Sequence, residues 1–339
     1  MLLYSILFMM LGFVGLYFGG KYTIIGLESI AKRFGLSHLM VGLTILAIGT
    51  SLPEIAVSII GGFDKILGID PNIDGIVIGN KIGSFFTQIT FILGLLGLTQ
   101  TLFISKWELR REGPMLFLSL FVFLLFAIDG LIDRIEALAM IIIYIIYLIL
   151  IIISEKKLRK AEPKVEEIEK DRLDPLSLEV KKDPSGTTSI KKDIIICLIG
   201  LLFLLIGAEI CILSGHNIAN ELNVPNNVIG ILIIGLGTSI PELVVDLTAM
   251  RRGSYGLAIG DILGSNICDI LFATGAGAII AEFNVVKVLL LYDIPMLFIA
   301  ISIAYYFLWT KKSLKTREAI FLISFYAFYV TMKLVFFQI

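Results

Sequence analysis

The sequence has little charge and few of the residues on which enzyme chemistry usually depends. Only 17% of its 339 residues are charged, and it has two histidines and three cysteines. It contains no His-Glu-x-x-His, no Gly-x-Ser-x-Gly and no phosphate-cradling glycine loop, so nothing in it indicates an enzyme or an ATP-driven pump. Cys197, Cys211 and Cys268 stand in apolar stretches without a pairing pattern, which predicts buried thiols.

Apolar residues, in contrast, are abundant. They make up 57% of the chain, and the mean hydropathy is +0.94. The apolar runs repeatedly reach the length of about 20 residues that a membrane-spanning helix needs, and they are continuous, whereas β-barrel strands alternate. We therefore predict an all-α membrane protein whose partners include the lipid bilayer and exclude nucleic acid and nucleotides. The oligomeric state stays open, a monomer being one possibility.

Hydropathy predicts ten transmembrane helices in two groups of five. They are expected at residues 2–30, 38–63, 72–98, 112–129, 135–153, 193–217, 226–250, 256–281, 286–309 and 316–337. Between the groups, residues 154–192 are rich in Lys and Glu and hold three prolines, which predicts a linker. The expected units are a first five-helix repeat (1–153), this linker and a second five-helix repeat (193–339).

The positive charges predict how the chain crosses the membrane. Most of the 28 Lys and Arg residues fall in alternate loops and in the linker, while the other loops carry mainly Asp and Glu. Because cytoplasmic loops are enriched in Lys and Arg, the linker is expected in the cytoplasm and both termini outside the cell membrane. Five spans per half then give the halves opposite orientations, which is an inverted repeat.

One motif occurs once in each half. Residues 49–54 read Gly-Thr-Ser-Leu-Pro-Glu, and residues 237–242 read Gly-Thr-Ser-Ile-Pro-Glu. Their surroundings align at a shift of 188 residues, and the following helix aligns at a shift of 181. The shared residues are mainly Gly, Ser, Thr, Pro and Glu, whereas chance matches between apolar helices would be Leu, Ile and Val. The repeat therefore predicts a site where the two halves meet.

Each copy of the motif predicts a broken helix beside a buried carboxylate. Proline removes a backbone donor and frees carbonyl oxygens of the preceding turn. Glu54 and Glu242 are costly in hydrocarbon, so such residues usually have a function. Hydroxyl oxygens come from the same motifs, at Thr50, Ser51, Thr238 and Ser239. Such oxygens suit a hard cation such as Ca²⁺ or Na⁺. The alternative is a simple proline kink whose glutamate pairs with a neighbouring helix.

The helix that follows each motif adds further polar residues. Ser84 and Gln88 are four residues apart and share a helix face, as do Ser265 and Asp269. Glycines beside them allow helices to approach closely. The pattern predicts either ion ligands or packing glycines whose neighbouring hydroxyls bond back to the helix.

These paired blocks resemble the α-repeats of the calcium/cation antiporter superfamily and are most similar to prokaryotic sodium/calcium exchangers. The resemblance covers the membrane portion of the chain and implies ten helices in two inverted halves. It implies a central site built by the second, third, seventh and eighth helices, with sliding of the first and sixth. Glu54 and Glu242 would be the main Ca²⁺ ligands, with carbonyls of Thr50 and Thr238. The implied Na⁺ ligands are Ser51, Ser84, Ser239, Ser265, Asp269 and the carbonyls of Ala47 and Gly235.

Four residues depart from the pattern of that superfamily. Phe85, Gln88 and Asp261 stand where asparagines are usual, and the fourth is Lys81. Lys81 has two interpretations. It either snorkels or is ion-paired near the helix end, or it is a tethered cation that replaces one Na⁺. Asp246 and Asp261 are expected to be its partners or extra acidic ligands.

The resemblance implies a secondary antiporter that exchanges Ca²⁺ for Na⁺ by alternating access, without enzymatic activity and without a cofactor. Exchange of Ca²⁺ for H⁺ on the same scaffold is the alternative, since a buried glutamate can carry a proton. A cation channel is a further alternative, although no filter-like loop is evident.

Overall fold

The computed structural model describes residues 2–33, 47–70, 73–104, 106–161, 190–251 and 255–336, and this part of the chain is almost wholly helical. The helices of the first half are α1 (Leu2–Arg33), α2 (Ala47–Thr50), α3 (Leu52–Leu67), α4 (Asp74–Phe86), α5 (Leu93–Thr99), α6 (Lys106–Ala127) and α7 (Arg134–Ala161). Those of the second half are α8 (Ile190–Leu222), α9 (Asn226–Ile229), α10 (Gly235–Thr238), α11 (Ile240–Arg251), α12 (Tyr255–Ile267), α13 (Thr274–Ile280), α14 (Ile294–Lys311) and α15 (Thr316–Phe336).

Four two-residue strands are the exception to the helical fold. They are β1 (Leu102–Phe103), β2 (Leu131–Ile132), β3 (Phe283–Asn284) and β4 (Ser313–Leu314). β1 pairs antiparallel with β4, and β2 pairs antiparallel with β3. Each ladder joins a connection of one half to a connection of the other half, so the halves are tied together twice.

Eight helical stretches of the described chain are long and apolar enough to cross a membrane. They are 2–23, 74–99, 134–154, 190–222, 226–251, 255–280, 289–310 and 316–335. The predicted spans 38–63 and 112–129 are not among them. Residues 38–46 lie outside the described residues, α3 has only 16 residues, and α6 begins with several charged ones. The outer surface is apolar, with Leu291 79% exposed, as a multi-pass membrane protein requires.

The helix ends differ from the predicted linker boundaries. α7 continues to Ala161 and α8 begins at Ile190, so both helices extend into the stretch expected to be linker. Residues 162–189 lie outside the described residues. The three cysteines are free and buried, which confirms the prediction of buried thiols.

The helices break where the motifs predict. Ser51 separates α2 from α3 and Ser239 separates α10 from α11, with ψ angles near zero at both serines. Wider π-helical turns interrupt other helices, at Thr87–Ile92, Gly230–Ile234, Cys268–Ala273 and Leu289–Asp293. The predicted break beside each proline is confirmed, whereas the π turns carry no proline and were not predicted.

Glycine allows the closest helix contacts. A Cβ atom at Gly83 would lie 2.1 Å from the carbonyl oxygen of Ile231, and one at Gly235 would lie 2.7 Å from the nitrogen of Ser84. Only glycine permits such an approach. This contact holds α4 of the first half against the π turn and α10 of the second half, where the candidate site lies.

Candidate cation site

The two glutamates of the repeated motif lie in the interior of the protein, in the first turns of α3 and α11. Glu54 and Glu242 both have zero exposure, and their side chains interact electrostatically. Oε2 of Glu54 and both carboxylate oxygens of Glu242 receive no hydrogen bond within the described chain. The motifs thus place two acids close together with oxygens available to a ligand, away from lipid.

A chain of hydrogen bonds joins polar side chains of the two halves beside Glu54. Ser84 donates to Oε1 of Glu54 (3.1 Å), and its hydroxyl lies 2.9 Å from that of Ser239. The amide nitrogen of Gln88 donates to Ser84 (3.0 Å), while Ser265 donates to the amide oxygen of Gln88 (2.9 Å). Gln88 therefore bridges the equivalent serines of the two repeats, and all five side chains are buried.

Two further contacts cross between the halves in a symmetric way. Asn80 donates to the hydroxyl of Thr238 at 2.9 Å, and Thr50 donates to Asp261 at 3.3 Å. Asn80 and Asp261 are equivalent by the shift of 181 residues, as Thr50 and Thr238 are by the shift of 188. Sequence analysis missed Asn80 as a site residue, although its equivalence to Asp261 was available as a signal.

The remaining predicted ligands lie around this network. Ser51 donates weakly to the carbonyl of Ser265 at 3.5 Å. The carbonyl of Gly235 accepts hydrogen bonds from Ser239 (2.8 Å) and Thr238 (3.4 Å) of its own helix. Ala47 is the first residue of α2, and its side chain lies outside the described set.

Three buried aspartates lie in the same interior. Asp269 has zero exposure, and both of its carboxylate oxygens are without a hydrogen bond in the described chain. It interacts electrostatically with Glu54, and Asp261 does so with Glu242. Asp246 is also completely buried and interacts with Asp261. The interior is therefore strongly acidic.

Lys81 brings one positive charge into this acidic interior. Its side chain has zero exposure, and its ammonium donates to the backbone carbonyl of Glu54 and to Oδ1 of Asn80, the latter at 2.9 Å. Its electrostatic partners are the carboxylates of Asp269 and Glu54. Of the two roles expected in the first interpretation, snorkelling is wrong, because a completely buried ammonium does not reach an interface. The ion-paired lysine and the tethered cation both stay predictions. Asp246 and Asp261 are not among these partners.

The carboxylates do not form a metal cage by themselves. In the described ranges, no three Asp, Glu, His or Cys side chains are gathered closely enough to hold a metal ion. An ion between Glu54 and Glu242 would therefore need hydroxyl, carbonyl and water oxygens as well. Hard cations accept such mixtures, since Ca²⁺ takes about six to eight oxygens of these kinds.

Two relatives resemble the chain over most of its length. An uncharacterised membrane protein of Methanocaldococcus jannaschii is 30% identical over 82% of this chain and 83% of its own length. The sodium/calcium exchanger MaX1 of Methanosarcina acetivorans is 28% identical over 98% of this chain and 99% of its own.

A solved structure has the same fold. The sodium-calcium exchanger NCX_Mj, soaked with Na⁺ and Sr²⁺, superposes with a TM-score of 0.61 at 28% identity, covering 98% of this chain and 99% of that one. Residues 4–153 and 192–335 match the family described as sodium/calcium exchanger protein. These matches include both motifs and both halves of the interior just described. The chain therefore belongs to the sodium/calcium exchanger protein family.

Proposed function

We propose that this protein is a secondary antiporter that exchanges Ca²⁺ for Na⁺ across the cell membrane by alternating access. The observation that carries the proposal is the pair Glu54 and Glu242, buried at equivalent helix breaks with carboxylate oxygens that receive no hydrogen bond in the described chain. Family membership and the names of its relatives support Na⁺ as the coupling ion rather than H⁺.

The mechanism follows from competition for one set of oxygens. Two carboxylates in a dry interior attract either one divalent ion or several monovalent ions, and they do not hold both in full. An occupied site is close to neutral, so the ions and their surroundings can pass an apolar barrier. An empty site keeps buried charge, which opposes the same movement and suppresses leakage.

The proposed ligands are the residues of the two motifs and of the helices that follow them. Glu54 and Glu242 are the main Ca²⁺ ligands, and the other members serve Ca²⁺ or the flanking Na⁺ positions. They are Thr50, Thr238, Ser51, Ser239, Ser84, Gln88, Ser265, Asp269 and the carbonyls of Ala47 and Gly235. Two of these need local rearrangement, since Gln88 bridges two serines and the Gly235 carbonyl already accepts intrahelical bonds.

We also propose the full architecture of ten transmembrane helices in two inverted five-helix repeats, 1–153 and 193–339, joined by a cytoplasmic linker at 154–192. Equivalent element boundaries support it. α4, its π turn and α5 correspond residue for residue to α12, its π turn and α13 at the shift of 181. The strand ladders support it too, because β1 pairs with β4 while β2 pairs with β3. The distribution of Lys and Arg supports both termini outside.

Transport by purified protein in proteoliposomes tests the proposal. With Na⁺ inside and Ca²⁺ outside, the parent protein should take up Ca²⁺ only while the outward Na⁺ gradient lasts. Glu54→Gln and Glu242→Gln should each reduce the rate by about a hundredfold or more, the scale expected for losing a buried ionic ligand of roughly 3 kcal/mol. Glu282→Gln, at an exposed connection, is the matched control and should transport like the parent.

Two results would contradict the proposal. One is uptake driven equally well by a pH gradient without Na⁺, which would indicate H⁺ exchange. The other is undiminished uptake by either interior glutamate variant.

A further inference from the structure

The repeat is symmetric in its motifs but not in its charge. Lys81 of α4 is equivalent to Ile262 of α12, and its neighbour Asn80 is equivalent to Asp261. The first half thus contributes a cation at a level of the interior where the second half contributes an aliphatic side chain and an acid. A packing requirement alone does not explain a lysine there, because Ile262 fills the equivalent buried place with an apolar group.

The surroundings of Lys81 resemble those of a bound monovalent cation. Its ammonium is completely buried and contacts a backbone carbonyl oxygen, that of Glu54, and an amide oxygen, that of Asn80. Asp269 and Glu54 are its electrostatic partners. Carbonyl, amide and carboxylate oxygens are also what a Na⁺ ion would take as ligands, and the ammonium carries the same charge.

The ammonium of Lys81 contributes to the net charge of the interior to which transported ions would bind. Glu54, Glu242 and Asp269 interact electrostatically with one another, and Lys81 is the one basic side chain among their electrostatic partners in the described chain. A tethered positive charge beside them lowers by one the number of monovalent ions needed to neutralise the group. Unlike a bound Na⁺, it cannot leave, so it contributes to every transport cycle without being transported.

We propose that Lys81 is a resident cation of the exchange site, that it takes the place of one transported Na⁺, and that the chain consequently exchanges Ca²⁺ for one Na⁺ fewer than the same site would without it. This inference rests on the proposed function, and it names a residue that determines the coupling ratio.

The test compares the parent with Lys81→Met, which keeps the length of the side chain and removes its charge. Proteoliposomes are held at zero membrane potential with valinomycin and equal K⁺, and a tenfold Na⁺ gradient is applied. The Ca²⁺ gradient at which net flux stops then gives the coupling ratio. Because each coupled Na⁺ multiplies the balancing Ca²⁺ gradient by the Na⁺ gradient, Lys81→Met should balance at a Ca²⁺ gradient about tenfold steeper than the parent does.

Lys65→Met is the matched control. Lys65 pairs with Asp74 at 2.7 Å and is partly exposed, so its removal should leave the balance point of the parent unchanged. An exchanging Lys81→Met protein with the balance point of the parent would overturn the inference and leave the proposed function intact. A parent protein without any Na⁺-dependent Ca²⁺ flux would overturn both.

Equilibrium binding decides the case in which Lys81→Met folds but does not transport. In detergent, Na⁺ should displace bound ⁴⁵Ca²⁺ from Lys81→Met with a Hill coefficient about one greater than from the parent. Ca²⁺ should also bind more tightly, since a nearby positive charge has been removed. An unchanged Hill coefficient, or weaker Ca²⁺ binding by a monodisperse variant, would overturn the inference.

Discussion

At the scale of single residues, the interior depends on side chains whose partners come from the other half of the chain. The repeated motif and its proline predicted a helix break beside Glu54 and Glu242 and the burial of both carboxylates, because helix breaks and buried acids leave local signals in a sequence. The contact of Lys81 with the carbonyl of Glu54 depends on how α4 packs against α3, and that of Asn80 with Thr238 depends on how α4 packs against α10. The sequence alone does not give this packing, so neither contact could be predicted.

Gln88 offers a test of the contacts between the two halves. Its amide spans Ser84 and Ser265, and asparagine is one methylene too short to reach both. Ser84 and Ser265 have other hydrogen-bond partners, at Glu54 and at the carbonyl of Asp261, so Gln88→Asn should leave one end of the buried amide unpaired. The loss should lower the free energy of unfolding by about 1–3 kcal/mol. Thermal unfolding in detergent measures this, with Gln100→Asn at an exposed position as the control. Equal stability of the two variants would show that the bridge contributes nothing.

At the scale of elements, α1 and α8 form a long contact lined by glycine. A Cβ atom at Gly19 would lie 2.5 Å from the nitrogen of Leu204, and one at Gly207 would lie 2.7 Å from that of Leu16. Such close approach lets the two backbones pack tightly against each other. The resemblance to known antiporters implied that these helices slide during transport, and this stays a prediction.

Two neighbouring glycines of α1 allow the effect of close helix contact to be distinguished from the effect of the higher helix propensity of alanine. Gly19→Ala should force the two helices apart, lowering both the unfolding temperature and the rate of Ca²⁺ uptake. A Cβ atom at Gly20 would meet no atom within 4 Å among the described residues. Gly20→Ala should therefore be neutral or stabilise the helix by up to about 1 kcal/mol. Equal effects of the two substitutions on melting and uptake would contradict a role for close approach.

At the scale of the whole molecule, the sequence predicted the class better than the connections. Long continuous apolar runs predicted a helical membrane protein, and the repeated motif predicted the two helix breaks and their buried glutamates. The inverted repeat and the ligand roles stay predictions. The ladder of Leu131–Ile132 with Phe283–Asn284 was not predicted, because two-residue strands are too short to show a period. Charged residues at the start of α6 also made its membrane boundary hard to place.

The central claim is that mirror-related acids of two inverted halves hold a Ca²⁺ ion that Na⁺ evicts. An experimental structure of the protein soaked with Ca²⁺, and of the same protein soaked with Na⁺ alone, tests it most directly. We expect Ca²⁺ density between residues 50–54 and 238–242, with carboxylate oxygens of Glu54 and Glu242 at about 2.3–2.6 Å, and its loss at high Na⁺. Density elsewhere, or Ca²⁺ that contacts neither glutamate, would contradict the claim.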